Sequence, residues 1–481
     1  MSGGARVAIV GGGIAGLVVA WRLMRATNPA GAPEITVLEA GPRLGGRIRT
    51  EACDGFILEA GPDSVLTTKP WAMELAIELG LGDSMQGTRP WAHRAFIRRG
   101  DRLHPLPDGL SGLVPGGARS WMRAGMLSWP GRMRAVFDRM IAPAQGERDE
   151  TVADLARRRF GREAWDWLLE PLLAGIHGGD GEKLGIASTF PSLRATERGG
   201  VRVTSGEGMD RPSGRGPFAA PRRGMQALTD ALVERLAAAD LRTGSRARTV
   251  ERTPAGWRIS ADSGAPIHAD ALVLAVPANV AATLIEGVAP PLAGLLSTIP
   301  FASAVVVHAA FEAGAVPHPL AGHGYLNPRR GGRVVAAVTW TSSKFEHRAP
   351  DGFVLLRGFI RGDVAMPTDD DAVRHFLGEM RDVLGIAAPP VLVRVFRYTG
   401  EMPQYVLDHA KRVAAIEREA ATSKGLYLAG NSYYGVGIAD TVRHASTVAL
   451  AVRAALGGEP AGVWPTGVGT GYAGEHDAFT D

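Results

Sequence analysis

Cysteine is almost absent from this chain of 481 residues, since Cys53 is the only one. An intramolecular disulfide is therefore excluded, a cysteine-rich metal site cannot form, and no metal is predicted. A reducing compartment is compatible with this composition. Long apolar runs are also missing, because no stretch approaches the roughly 18 residues of a membrane-spanning helix.

A strong charge of either sign is missing as well. The formal net charge is only +4, which is too small to indicate nucleic-acid binding but is compatible with an anionic ligand or an anionic lipid surface. The first strand pattern begins at Arg6, so no signal or transit peptide is predicted and a cytoplasmic location is expected. The length is sufficient for two or three domains with a large core.

The most informative stretch has the order strand, glycine turn, helix, strand and acid. Arg6–Val10 is a β-branched run typical of a buried parallel strand. Apolar residues recur at helical spacing over Ile14–Arg25, and the second strand, Ile35–Leu38, ends in Glu39. This order predicts a dinucleotide-binding unit, whereas a glycine turn alone would be weak evidence.

Each glycine of the G-x-G-x-x-G pattern has a task in such a unit. Gly11 allows the tight turn, Gly13 allows the backbone to approach a pyrophosphate, and Gly16 allows the helix to pack closely on the strand. Free N–H groups at the start of the helix would face the phosphates, and Glu39 lies at the spacing of an acid that binds ribose hydroxyls. The predicted contacts are Gly11, Gly12, Gly13, Ile14, Ala15, Gly16, Glu39 and Ala40.

A second glycine pair follows the acid, in Arg43-Leu44-Gly45-Gly46-Arg47. This stretch resembles the extended flavin motif of the amine-oxidase-like flavoprotein superfamily, in which a second turn and an arginine close over the pyrophosphate of FAD. The resemblance implies non-covalent FAD rather than NAD, with Arg47 at the pyrophosphate. Without this context, Arg47 would be interpreted as a solvated surface arginine.

Four later stretches are more specific and extend the similarity over nearly the whole chain. They are Gly61–Ser64, Glu170–Asp180, Met402–Tyr405 and Gly430–Asp440. Together they resemble the oxygen-dependent, FAD-containing protoporphyrinogen oxidases. That resemblance implies an α/β protein with a Rossmann-like FAD-binding domain, an inserted mixed or antiparallel-sheet substrate domain and an α-helical membrane-associating domain.

The implied domains are discontinuous in the chain. Flavin elements lie near both ends and in the middle, and the other units are insertions. The predicted ranges are 1–88, 221–290 and 405–463 for FAD binding, 89–105 and 291–404 for substrate binding, 106–220 for the helical domain, and 464–481 for a flexible tail.

The helical region leaves two interpretations open. Between Leu106 and Gln145, tryptophan and methionine alternate with arginine. This pattern suits an interfacial surface on anionic lipid, and it equally suits an ordinary helical subdomain that buries those apolar residues. We expect peripheral attachment to the cytoplasmic face of the inner membrane if the first interpretation holds.

The resemblance also implies roles for individual residues. Arg94 would pair with a substrate propionate, Gly175 would place its carbonyl over the macrocycle, and Leu326 would pack on the tetrapyrrole, with Trp340 as a further contact. The implied FAD contacts are Gly61, Pro62, Asp63 and Ser64 at the ring, Val250 at the adenine, Tyr398, Gly430 and Asn431, and Val436, Gly437 and Ile438 beneath the flavin. Tyr398 and His323 depart from the family, which often has tryptophan and an aromatic wall residue there.

Strand alternation independently places Arg94 and Phe96 on one face of a predicted hairpin strand. An arginine and an aromatic ring on one face could bind a planar carboxylated molecule. A charged sheet face is the alternative.

The implied activity is the six-electron oxidation of protoporphyrinogen IX in haem or chlorophyll biosynthesis. A methylene-bridge hydride would pass to FAD in each of three cycles, and O2 would reoxidise the flavin and yield H2O2; no general base is assigned. The closest alternative is oxidation of coproporphyrinogen III. An amine oxidase, a carotenoid desaturase and a non-catalytic FAD-binding subunit are more distant ones. Ferrochelatase is a candidate partner, and the chain is expected to be a monomer or a homodimer.

Overall fold

The computed structural model describes residues 4–25, 32–92, 94–107, 110–111, 113–142, 148–198 and 216–457. The predicted tail, 464–481, lies outside the described residues. The strands are β1 Arg6–Val10, β2 Glu34–Leu38, β3 Thr50–Cys53, β4 Phe56–Glu59, β5 Val65–Leu66, β6 Met85–Gly87, β7 Ala95–Arg99, β8 Arg102–Pro105, β9 Leu110–Ser111, β10 Val114–Pro115, β11 Phe218–Pro221, β12 Asp240–Arg242, β13 Ala247–Thr253, β14 Gly256–Ala261, β15 Ile267–Ala269, β16 Ala271–Leu274, β17 Phe301–Glu312, β18 Gly324–Leu326, β19 Val335–Trp340, β20 Phe353–Ile360, β21 Leu392–Pro403 and β22 Leu426–Leu428.

Helices connect and cover these strands. They are α1 Ile14–Arg25, α2 Pro70–Glu78, α3 Ala118–Met122, α4 Trp129–Val136, α5 Val152–Phe160, α6 Arg162–Ala164, α7 Glu170–His177, α8 Ile186–Thr189, α9 Pro191–Arg198, α10 Gln226–Arg235, α11 Ala278–Ile285, α12 Pro290–Ser297, α13 Thr341–Lys344, α14 Asp369–Leu384, α15 His409–Thr422 and α16 Ile438–Ala455.

A five-stranded parallel sheet forms the nucleotide end, in the order β12-β2-β1-β16-β22. The central strand β1 is buried at every residue except Arg6, as a strand with helices on both faces of its sheet requires. Helices α1 and α16 contribute Leu17, Val442 and Ala445 to the core cluster on one face. Strands from three distant parts of the chain thus meet in one sheet.

A seven-stranded sheet forms the other end, in the order β21-β17-β20-β19-β18-β7-β8. Its pairs are antiparallel except for β18 and β7, which run parallel. The sheet is therefore mixed. Helix α14 covers one face with Phe376 and Met380, so the opposite face is available to line a cavity.

A buried polar network fixes strand β18 to helix α14. The Glu379 carboxylate accepts hydrogen bonds from the Tyr325 hydroxyl at 3.2 Å, the Asn327 amide at 2.7 Å and the Arg98 guanidinium at 3.1 Å. Alternate side chains of a strand point to opposite faces. Because Tyr325 and Asn327 point toward the helix, Leu326 between them points away from it.

The helical region from α3 to α9 has its own core, which includes Trp121, Met126 and Leu127. Thr151 caps α5 by accepting a hydrogen bond from the Asp154 amide at 3.0 Å, as its position suggested. Helix α9 ends at Arg198. Among the described residues, no helix is long and apolar enough to cross a membrane.

Candidate active site

One continuous cavity of about 4400 Å³ connects the glycine turns to the open face of the seven-stranded sheet. The predicted cofactor residues in its lining are Gly11, Gly13, Ile14, Ala15, Glu39, Ala40, Arg47, Gly61, Pro62, Asp63, Ser64, Tyr398, Gly430, Asn431, Val436, Gly437 and Ile438. Arg94, Gly175, Leu326 and His323 line its other end. Gly12, Gly16, Val250 and Trp340 do not line it.

The first glycine turn leaves no room for side chains. Gly11 has φ +110°, and a Cβ atom there would lie 2.4 Å from the carbonyl oxygen of Ala275. A Cβ atom at Gly16 would lie 2.0 Å from the carbonyl oxygen of Gly11. These glycines therefore hold helix α1 close to the sheet, beneath the cavity floor, as the motif predicts.

The second glycine turn packs directly on the first. The Gly45 amide donates to the Gly12 carbonyl at 2.8 Å, and a Cβ atom at Gly46 would lie 3.0 Å from the Cα of Gly13. The Arg43 guanidinium holds this turn by donating to the carbonyls of Leu44 at 2.9 Å and Ile48 at 3.1 Å.

The sequence predicts a role for Arg47 but none for Arg43. Burial and the neighbouring Arg49 lower the pKa of Arg43. Arg47 lines the cavity and pairs with Glu401 at 2.8 Å.

Glu39 follows strand β2 and holds the backbone on both sides of it. Its carboxylate accepts hydrogen bonds from the Gly12 amide at 2.9 Å and the Gly41 amide at 2.7 Å. The amide of Ser245 donates to the Glu39 carbonyl at 2.8 Å, and the Ser245 hydroxyl is buried without a partner among the described residues.

The resemblance implies that the backbone of Val250 meets the adenine end of FAD, and this contact stays a prediction. Val250 is buried in β13, paired with Ile259, and lies outside the cavity lining. Arg246, four residues earlier, lines the cavity, directly after the Ser245 contact to Glu39.

The Gly61–Ser64 turn contains a buried cluster of charges. The Asp63 carboxylate accepts hydrogen bonds from the Lys344 ammonium at 2.9 Å and the Ser64 hydroxyl at 2.7 Å, and the Arg357 guanidinium lies 3.8 Å from it. Burial alone would raise the pKa of Asp63, but Lys344 and Arg357 outweigh it and hold that pKa well below its usual value. Lys344 and Arg357 both line the cavity and were not predicted from the sequence.

Gly175 and Leu326 meet at the end of the cavity next to the seven-stranded sheet. A Cβ atom at Gly175 would lie 2.9 Å from the Cδ2 of Leu326. Glu170, one helix turn earlier in α7, accepts from the Arg329 amide at 2.9 Å and from Arg361 at 3.5 Å, which ties the helix to the sheet. Two residues predicted from distant parts of the sequence are thus in contact in one cavity wall.

Arg89, Arg94 and Lys183 are among the cationic side chains of the cavity lining that form no ion pair with an acid in the described part of the chain. Arg94 and Lys183 are exposed, and Arg89 lies over the ring of Trp91 at 5.0 Å. Their unpaired charge makes the cavity suitable for carboxylates.

Phe96 and Trp340 are not part of the cavity wall, contrary to the sequence prediction. Trp340 is fully buried and packs on Phe96 at 5.6 Å between ring centroids, on the side of the sheet that α14 covers. Neither ring lines the cavity. The Arg94–Phe96 face therefore does not form a joint site, because only Arg94 reaches the cavity.

Comparison with known proteins agrees with this architecture. The family model described as flavin containing amine oxidoreductase matches residues 14–453, and the chain belongs to that family. It is accordingly a flavin-dependent oxidoreductase, and FAD is its cofactor. The glycine turns in contact, the acid at the end of β2 and the continuous cavity fit that cofactor.

Several proteins with similar sequences carry the names of porphyrinogen oxidases. The chain is 31% identical to coproporphyrinogen III oxidase of Bacillus subtilis (strain 168), over 91% of this chain and 95% of that protein. It is 33% identical to coproporphyrinogen III oxidase of Mycobacterium tuberculosis (strain ATCC 25618 / H37Rv), over 93% and 97%. It is 26% identical to protoporphyrinogen oxidase 1, chloroplastic, of Arabidopsis thaliana, over 92% and 87%.

A solved structure of a candidate protoporphyrinogen oxidase from Exiguobacterium sp. 255-15 superposes with a TM-score of 0.82. It is 28% identical and the match covers 94% of this chain and 99% of that one. The resemblance drawn from the motifs is therefore confirmed at the level of the family.

The Asp63 cluster leads to a prediction about stability. Asp63→Asn leaves Lys344 and Arg357 buried without their counter-charge, and we expect it to lower the free energy of unfolding by about 3 kcal/mol at pH 7. Because the folded-state pKa of Asp63 is depressed, this contribution is complete above about pH 4 and shrinks by about 1 kcal/mol per pH unit below it. Denaturant unfolding of both proteins at pH 7 and pH 3 measures the difference.

Asp382→Asn provides the control, because Asp382 is half exposed and pairs with Arg333 on the surface. Its loss should cost less than about 1 kcal/mol. If the free energies of unfolding of wild type and Asp63→Asn differed by the same amount at both pH values, the assigned role of Asp63 would be contradicted.

Proposed function

We propose that this protein oxidises a porphyrinogen to the corresponding porphyrin with dioxygen as the final electron acceptor. One observation carries the proposal: a single cavity joins the FAD-binding turns to a wall formed by Gly175 and Leu326 and to a cationic end at Arg94. A mainly apolar cavity with cations in its lining suits a tetrapyrrole with carboxylate side chains. The names of the relatives agree with this interpretation.

The chain's own residues orient the substrate. The Arg94 guanidinium binds a propionate by a charge-assisted hydrogen bond, and the macrocycle packs against the wall that Leu326 and the adjacent Gly175 backbone form together. Gly11–Ala15, Arg47 and the Gly61–Ser64 turn hold the cofactor. Bound FAD supplies the hydride acceptor. Six electrons leave the macrocycle in all, so three turnovers are needed for each porphyrin.

Protoporphyrinogen IX is the substrate that the motifs predict, and coproporphyrinogen III is the second candidate. Two observations favour the second. Arg89, Arg94 and Lys183 provide more cations than two propionates require, and the relatives named above at 31% and 33% identity are coproporphyrinogen III oxidases. Coproporphyrinogen carries four carboxylates where protoporphyrinogen carries two.

A porphyrin fluorescence assay with both substrates tests the function. We expect the purified holoenzyme to convert at least one porphyrinogen in the presence of O2, and the ratio of the two kcat/KM values identifies the preferred substrate. Anaerobic mixing should bleach the bound flavin. The absence of both fluorescence and bleaching with either porphyrinogen would overturn the proposal.

Arg94→Ala should act mainly on binding. Loss of a charge-assisted hydrogen bond worth about 2 kcal/mol should raise KM roughly 30-fold while kcat changes little. Arg94→Lys should recover part of the loss because it retains the charge. Arg102→Ala, at an exposed position of the adjacent hairpin, serves as the control. An unchanged KM in Arg94→Ala would contradict the role of Arg94.

A peripheral membrane contact stays a proposal, supported by exposed apolar side chains in and after α4. Trp129 is 62% exposed, Phe137 48% and Met140 80%, whereas Trp121 and Met126 belong to the core. The exposed side chains support a lipid-facing surface in this helical region, and the buried ones support an ordinary helical subdomain. Ferrochelatase and a homodimer stay predictions.

Vesicle binding checks this contact. We expect the protein to co-sediment with vesicles that contain phosphatidylserine, and the triple change Trp129→Ser, Phe137→Ser, Met140→Ser to reduce the bound fraction several-fold. Ile77→Ser removes an isolated side chain that is 60% exposed and should have no effect. Equal binding of the triple variant and wild type would exclude α4 as the contact.

A further inference from the structure

Tyr405 occupies a junction that the catalytic proposal does not use. Its side chain is buried, and its hydroxyl donates to the Asn431 carbonyl at 2.7 Å while accepting from the Gly435 amide at 2.8 Å. The hydroxyl therefore donates one hydrogen bond to this loop and accepts another from it. That loop, residues 429–437, connects strand β22 to helix α16.

His409 supports the same arrangement one helical turn later. Its ring stacks on Tyr405, with centroids 3.9 Å apart and planes 12° from parallel, and its Nε2 lies 3.1 Å from the Tyr433 carbonyl. Burial lowers the pKa of His409 to about 4, so the ring is neutral. Tyr405 and His409 together hold three backbone groups of loop 429–437.

The loop forms part of the cofactor cavity. Gly430, Asn431 and the residues from Tyr433 to Ile438 line it together with Gly11 and Gly13. Helix α16 begins at Ile438, so the position of the loop determines where the positive end of that long helix lies. The backbone of Tyr405 also accepts from the Gly185 amide at 2.8 Å, which holds it from the opposite side.

We propose that Tyr405 is a positioning residue for FAD, because its hydroxyl fixes loop 429–437 and with it the N-terminus of α16 at the cavity wall. Phenylalanine would keep the stacked ring but leave the Asn431 carbonyl and the Gly435 amide without partners. A buried unpaired backbone group is costly, so the loop would shift to recover its hydrogen bonds. The positive N-terminus of α16 would then shift, and its stabilisation of the extra negative charge on a reduced flavin would weaken.

Tyr405→Phe tests the proposal on the holoenzyme. We expect the dissociation constant of FAD, measured by titration of the apoprotein, to rise roughly tenfold. The flavin midpoint potential should become more negative, and the visible spectrum of the bound flavin should shift. A purely structural residue would lower thermal stability without moving the potential. Unchanged FAD affinity or an unchanged potential in Tyr405→Phe would overturn the proposal.

Tyr325→Phe is the matched control. It removes one buried hydroxyl, which bonds Glu379 at 3.2 Å beneath the seven-stranded sheet. It should cost similar stability while FAD affinity and potential stay at wild-type values. These measurements need no porphyrinogen, so their outcome is independent of the proposed substrate.

Hydrogen exchange provides a second measurement if Tyr405→Phe does not fold. The Gly435 amide of the wild-type apoprotein should exchange slowly, because its acceptor is a buried tyrosine hydroxyl. Exchange at the rate of an unprotected amide would overturn the proposal. This measurement requires neither the variant nor bound FAD.

Discussion

The close contact of two glycine turns is the constraint on which the cofactor end depends. Gly13 and Gly46 approach so closely that a Cβ atom at Gly46 would lie 3.0 Å from the Cα of Gly13. A third segment is equally tight, since a Cβ atom at Gly61 would lie 2.0 Å from the Arg47 carbonyl oxygen. Backbone packed against backbone leaves peptide groups, rather than side chains, at the cavity floor. Such a surface is suited to a long phosphate-containing ligand.

Carboxylates with little solvent exposure fix the other walls of the cavity. Asp63, Glu170 and Glu379 each accept from groups that belong to at least one other element. A buried charge without partners is costly, so each of these acids strongly disfavours any arrangement that separates its donors. The result is a rigid wall in which Leu326 and Gly175 face one another. Orientation of a flat substrate needs such rigidity more than it needs reactive side chains.

Local patterns predicted the elements near the glycine motifs well. Strand Arg6–Val10 and helix Ile14–Arg25 have the predicted bounds, because apolar periodicity and turn glycines act over short distances. The error at Trp340 has a different origin. Alternation shows that a strand has two faces, but not which one helix α14 covers. Lys344 and Arg357 were missed because their partner, Asp63, is distant in the sequence.

The order of the strands along the chain also has a consequence for synthesis on the ribosome. Strand β1 pairs with β2 on one side, but its other neighbour, β16, begins at Ala271. At typical translation rates this partner emerges on the order of tens of seconds later. An apolar strand edge therefore stays open in the nascent chain during that interval. The exposed edge makes the nascent chain a suitable substrate for chaperones. FAD binding cannot protect this edge earlier, because loop 429–437 of the cofactor cavity is translated after β16.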